Sequence, residues 1–258
     1  VYGRGRGSMP MSRMGSIYLM RKKWIEARRY RHSWANWRKK PTRKKDGKDE
    51  PVTPPKRDLV LETLARVLDG EILVHIHCYR ADEMLLQLQL AREFGFKVRS
   101  FHHAIEAYKI RDILASENVS VSTWADWWGF KIEAYDAIEQ NLALLATSKV
   151  RGILHTDSAE GIQRMNQEAA KAYYAGRHEG LEISENEALR WITAHPAWAI
   201  GIHEQTGTIE VGKMADLVIW DRHPFSVYAS ASKVFIDGAL IHDLAAPGPV
   251  WSDLEVGQ

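Results

Sequence analysis

Apolar positions recur along this chain in two alternating rhythms. Residues 59–68 are apolar at helical spacing and end at Asp69-Gly70. A short β-rich run over 72–78 follows, then a helical pattern over 81–94 stopped by Gly95. The alternation continues with a strand over 96–101, a helix over 106–116, a strand over 119–123 and a helix over 135–146. A fourth strand over 150–155 precedes a helix over 162–175. Strands separated by helices at this spacing predict parallel β/α units, since parallel neighbours need a long crossover. Four such units make half of an eight-stranded barrel, or most of a doubly wound sheet. Ser184, with Glu187 three residues on, caps one more helix predicted over 185–200. The texture then changes: short strands at 207–209, 216–220 and 233–240, broken by Gly, Pro and Asp, predict a small β-appendage. The tail from Ala245, with Pro247 and Pro249, reads as extended.

Upstream of these units the pattern differs. Residues 14–37 read as a helix, but a basic one, with Leu19, Trp24, Ile25, Ala27, Trp34 and Trp37 interleaved with Arg and Lys. The Lys-rich stretch 38–58, with Pro41, Pro51, Pro54 and Pro55, lacks apolar periodicity and is expected to be a solvated loop. The chain thus divides into a basic segment (1–57), a β/α body (58–200) and a β-rich end (201–258).

Composition adds exclusions. With 45% apolar and 26% charged residues, the 258-residue chain is neither collagen-like nor fully disordered. It has no apolar run long enough to span a membrane. The single Cys78 excludes an internal disulfide framework and a multi-Cys metal site, and is compatible with either a bacterial periplasm or a cytoplasm. The net charge of +2 hides an asymmetry: residues 1–57 carry 18 Lys/Arg against 4 Asp/Glu, and residues 58–258 carry 17 against 29. Such a split is a hint of an anionic partner. The chain opens at Val1 without an initiator Met or a signal-peptide pattern, so it is expected to be a segment entered midway.

In parallel β/α architectures the chemistry sits where strands end and loops begin. The predicted strands end, in order, at His75-Ile76-His77-Cys78-Tyr79-Arg80, at His102-His103, at Trp124-Ala125-Asp126 and at His155-Thr156-Asp157. Neutral imidazoles and a carboxylate from successive strands can converge on one divalent ion, and that donor set suits zinc. A lone strand-end His is as readily a hydrogen-bonded core residue; the succession of strand ends is what raises a site. His75 and His77 share one face of their strand because side chains repeat every two residues. Trp124, Asp126, Trp127 and Trp128 either wall a pocket or form a packed loop core.

Three of these segments carry a resemblance. The run from Tyr79 to Glu83 after His-x-His, the run His103-Ala104-Ile105-Glu106-Ala107-Tyr108-Lys109, and His155-Thr156-Asp157-Ser158-Ala159 resemble the later barrel strands of the amidohydrolase superfamily, in its imidazolonepropionase-like branch. Gly207-Thr208-Ile209-Glu210-Val211-Gly212-Lys213-Met214-Ala215-Asp216-Leu217-Val218 is similar to the segment by which these enzymes re-enter their small β-sandwich domain. The resemblance implies an α/β fold: the second half of a (β/α)8 TIM-type barrel, with strands 5–8 in 58–200, and a small β-sandwich appendage at the C-terminus. It implies one or two divalent metal ions, zinc foremost, held by His77, His103 and Asp157. His155 would support Asp157, Tyr79 and Arg80 would face substrate, and His75 and His102 would be neighbours rather than ligands.

The implied reaction is hydrolysis of a C–N bond in a small-molecule amide or cyclic amide. Asp157 would be the general base, and Arg80 would pair with a substrate carboxylate. A salt bridge from Arg80 to Asp82 or Glu83 is the competing reading. The sequence departs from the family in lacking the strand 1 His-x-His and in placing Ala104 where a Gly usually follows the strand 6 His. Two other classes compete: an inactive remnant of such an enzyme, and a basic nucleic-acid binder built on 1–57, the less favoured of the two. No membrane partner is expected, and a homo-oligomer is compatible with the sequence.

Overall fold

The computed structural model describes residues 9–246. The predicted extended tail beyond Ala246 lies outside the described residues. The described residues form two compact units, one within residues 1–104 and one within 105–258.

The first unit opens with helix α1 (Arg13–Lys39), capped by the Ser12 hydroxyl, which accepts from the Gly15 N–H at 3.1 Å. Trp24 stacks on Phe96 with ring centroids 4.3 Å apart, and Ala27 is fully buried. The charge of this helix is not simply solvated. Arg13, Arg21 and Arg31 pair with Glu83, Glu93 and Asp69 at 3.0, 2.9 and 2.6 Å. Each surface pair contributes at most about 1 kcal/mol, so the aromatic packing fixes the helix.

Residues expected to form a solvated loop instead carry a hairpin of β1 (Thr42–Lys45) and β2 (Lys48–Pro51). Asp46 and Gly47, both at positive φ (50° and 76°), make the tight turn that matches strand twist. The Trp37 indole N–H donates to the Val52 carbonyl at 2.7 Å and ties the hairpin to α1. Helix α2 (Leu59–Leu68) starts at Asp58, whose carboxylate accepts from the Leu61 N–H. Strand β3 (Val74–Cys78), helix α3 (Ala81–Phe94) and strand β4 (Val98–His103) form a β/α/β unit. β3 and β4 pair in parallel, with His77 opposite His102 and Cys78 opposite His103. Gly95, at φ 81°, ends α3 in the left-handed conformation that suits glycine.

The second unit pairs β5 (Ser120–Thr123) and β6 (Gly152–Leu154) in parallel, and every residue of both strands is buried. Helices α4 (Arg111–Ser116), α5 (Asn141–Thr147) and α6 (Met165–His178) are shorter than or displaced from the predicted spans, because 3-10 turns begin their segments. Leu142, Leu154, Tyr173, Trp191 and Phe225 anchor its core. The helix predicted over 185–200 is two, α7 (Glu185–Arg190) and α8 (Ala194–Ala199). An antiparallel sheet of β7 (Leu217–Trp220), β8 (Ala231–Ile236) and β9 (Ala239–Asp243) follows. Residues 207–209 are not a strand, and the single strand predicted over 233–240 is a hairpin turning at Asp237-Gly238. Among the described residues no helix is long and apolar enough to cross a membrane.

Candidate active site

Four imidazoles crowd the C-terminal ends of β3 and β4. His77 Nδ1 lies 2.7 Å from His103 Nε2, and His75 Nδ1 lies 2.8 Å from His102 Nε2. The His77 and His102 rings stack between the two pairs at 5.4 Å and 20°. The parallel register sets this cluster, since His77 and His102 are directly opposed. His103 joins it because its backbone turns to φ 70°, out of the strand conformation. Ala104 follows at φ 29°, a conformation that disfavours any side chain with a Cβ, so the backbone is strained where the family pattern has Gly. The Ala104 N–H still donates to the Cys78 carbonyl at 3.0 Å, which closes the ladder.

Burial, and then the neighbouring charges of His75, His77 and His103, push His102 down to about 4. Its ring is therefore neutral at pH 7. Cys78, buried under the same strand end, has its thiol pushed up to about 12, first by burial and then by Glu83. The thiol is therefore protonated at neutral pH. Tyr79 lies flat on His103, and Arg80 makes a forked pair with Asp82 at 3.0 and 3.3 Å.

In the second unit, Asp157 is exposed in the loop three residues past β6, with φ 54°. Asp tolerates this left-handed geometry better than most residues, and such outliers gather at functional sites. Two residues earlier, the His155 N–H donates to the Thr123 carbonyl, and the His155 ring stacks on Trp124 at 4.7 Å and 25°. The Trp124 indole N–H donates to the Thr156 carbonyl at 3.0 Å. Trp124 thus braces the 155–157 segment from two sides. Trp124 also stacks on Trp127, with centroids 5.6 Å apart and planes 12° from parallel.

Two imidazole nitrogens on one tetrahedral zinc, each about 2.0–2.1 Å from the ion, are about 3.3 Å apart. The facing nitrogens of His77 and His103, 2.7 Å apart, are at hydrogen-bond distance and about 0.6 Å closer than that spacing, so the pair would have to open by that much to serve as two ligands of such a site. Among the described residues no group of three or more His, Cys, Asp and Glu side chains is arranged to hold a metal ion. The His75–His102 pair is not evident from motif spacing. Its signal lies in strand register, because His77 is opposed to His102, and His75, two residues earlier on the same face of β3, is a diagonal neighbour of His102.

Parallel strands alternating with helices define an α/β architecture, and similarity to known proteins narrows it. The Amidohydrolase family model matches residues 109–242, and the chain belongs to that family. It is 29% identical over 248 residues to the amidohydrolase tasK of Hapsidospora irregularis, covering 94% of this chain and 24% of that protein. A 35-residue stretch is 57% identical to the imidazolonepropionase of Sphingopyxis alaskensis, covering 14% of this chain and 9% of that one. The solved amidohydrolase structure from Thermotoga maritima MSB8 superposes with a TM-score of 0.79 at 29% identity, over 92% of this chain and 58% of that one. The chain thus spans less than two thirds of the length of these relatives.

Proposed function

We propose that this chain supplies the metal-binding and acid–base residues of a hydrolase acting on C–N bonds of small amides or cyclic amides. The observation that carries the reading is the facing pair of His77 and His103 at a strained strand end. The β/α units would be the second half of a (β/α)8 barrel, with β7, β8 and β9 belonging to a small sandwich. Family membership and the 29% identical Thermotoga structure support this assignment.

In this reading His77, His103 and Asp157 hold a divalent ion, with zinc suited to the nitrogen and oxygen donors. When bound, such an ion lowers the pKa of a water towards neutrality and polarises the scissile carbonyl. Asp157 accepts the proton of the attacking water on a carboxylate oxygen and returns it to the leaving nitrogen. Its left-handed backbone is held by Trp124 through Thr156, which fixes where that oxygen points. His155, stacked on Trp124, stiffens the same segment. Arg80 offers a planar fork to a substrate carboxylate, and it exchanges Asp82 for that ligand. Tyr79 lines the approach and orients His103.

The test is elemental analysis of the purified, folded chain beside its His77→Ala and Asp157→Ala variants. Stoichiometric zinc that disappears in both variants is the expected result. Zinc retained by both variants, or none in the folded parent chain, overturns the ligand assignment.

A further inference from the structure

A cavity of about 240 Å³ lies beside the end of β5, lined by Trp124, Asp126, Trp127, Trp128, Glu139 and Gln140 among others. Its place connects it with the reaction proposed above, because Trp124 is both a wall of the cavity and the brace of the Asp157 segment. The volume is below the roughly 300–1,000 Å³ of pockets for drug-sized ligands, so it takes about one ring.

The charge of the lining is one-sided. Two carboxylates and no Lys, Arg or His line it. The Asp126 carboxylate is taken by Lys171, which approaches from outside the cavity at 2.8 Å. Glu139 is exposed and, among the described residues, has no ion-pair partner. Trp127 stacks one face on Trp124 and remains 43% exposed. The rings of this loop already receive a cation, since Lys131 Nζ sits 5.2 Å from the centre of the Phe130 ring. An indole face beside an uncompensated carboxylate attracts an organic cation by two additive effects, ring quadrupole and Coulomb attraction, and an anion by neither.

We infer that this cavity binds a flat, cationic group of the substrate, an amidinium, guanidinium or aryl-ammonium, held by the face of Trp127 and the carboxylate of Glu139. The inference rests on the hydrolase reading for its role, and it adds the substrate class.

The experiment titrates the full chain with benzamidinium and, separately, with benzoate, read by indole fluorescence and calorimetry. Saturable benzamidinium binding is expected, with benzoate weaker by tenfold or more. Trp127→Ala and Glu139→Gln should each weaken benzamidinium about tenfold, and Trp127→Phe should keep it within about threefold of the parent chain. Benzoate binding as tightly as benzamidinium, or unchanged affinity in Trp127→Ala, overturns the inference. A zinc titration of the same samples separates the two readings. Zinc bound without a benzamidinium response removes the cavity assignment alone, and the reverse removes the metallohydrolase alone.

Discussion

The phenol ring of Tyr79 lies against the imidazole of His103, with centroids 4.8 Å apart and planes 14° from parallel. Because His103 leaves the strand at φ 70°, its ring is positioned by side-chain contact as much as by the sheet. Tyr79 therefore acts as a positioning residue that keeps His103 Nε2 turned to His77 Nδ1. Removing the ring frees the imidazole to rotate, and with His103 a ligand as proposed above, a change next to it would cost about 10–100-fold in metal affinity. Tyr79→Ala is expected to weaken zinc binding about tenfold in a chelator competition, with Tyr79→Phe close to the parent chain. Equal affinity in Tyr79→Ala would remove this role.

Arg80 and Asp82 form an exposed forked pair, and Arg80 holds the Asp82 carboxyl below its ordinary 3.8. The stability this pair contributes is present above pH 3.8 and is lost as the pH falls through the lowered folded value. An exposed pair is worth at most about 1 kcal/mol, so Asp82→Asn should change urea stability at pH 7 by no more than that. A loss above about 2 kcal/mol would mean that Arg80 is a structural anchor rather than a group available to substrate.

Two glycines of the second unit separate rigid from yielding contacts. A Cβ on Gly176 would run into the Cβ of Ala143, with the Ala143 backbone 3.7 Å behind it and Ile183 at 3.1 Å. A Cβ on Gly152 would meet the Leu142 Cδ2 at 2.7 Å, the movable end of a side chain. Overpacking a tight contact costs about 1–3 kcal/mol. Gly176→Ala should therefore sit at the upper end of that range, and Gly152→Ala should cost less, both read by thermal denaturation. The reverse order would mean that α5 and α6 move apart more readily than Leu142 repacks.

The strands next to the candidate ligands were legible because they are short apolar runs ending in polar residues, with His77 and His103 at the ends of β3 and β4 and Asp157 three residues beyond β6. The hairpin at 42–51 was not, because nearly all of its residues are exposed and leave no apolar alternation. Its Asp46-Gly47 turn carried the signal, as Asp237-Gly238 did for β8 and β9, since both pairs place two successive residues at positive φ. The break between α7 and α8 follows no apolar signal: the periodicity runs on through Ile192, while the chain turns at Trp191 to Thr193. The imidazole pairs and the Trp124 brace depend on register and on the sign of φ at His103 and Asp157, which one chain's periodicity does not encode.

The half-buried His195 gives the fold a pH dependence of its own. Its Nδ1–H donates to the Gly152 carbonyl at 2.8 Å, which fixes the neutral tautomer with the proton on Nδ1. Burial is the largest influence and lowers its pKa below 6.5; the Gly152 carbonyl and Glu187 act against that, while Arg151 and Arg190 lower it further. Below pH 6.5 the unfolded chain takes up a proton at this position that the folded chain resists, so the unfolded state binds more protons and stability rises with pH. The contribution is fully present above pH 6.5 and is lost as the pH falls towards the depressed folded value. Urea midpoints should therefore fall between pH 7.5 and pH 5, and His195→Gln, which cannot titrate, should show a shallower slope at a lower starting stability. An identical slope in His195→Gln would assign the pH dependence to other groups, and a steeper one would reverse the sign argued for this imidazole.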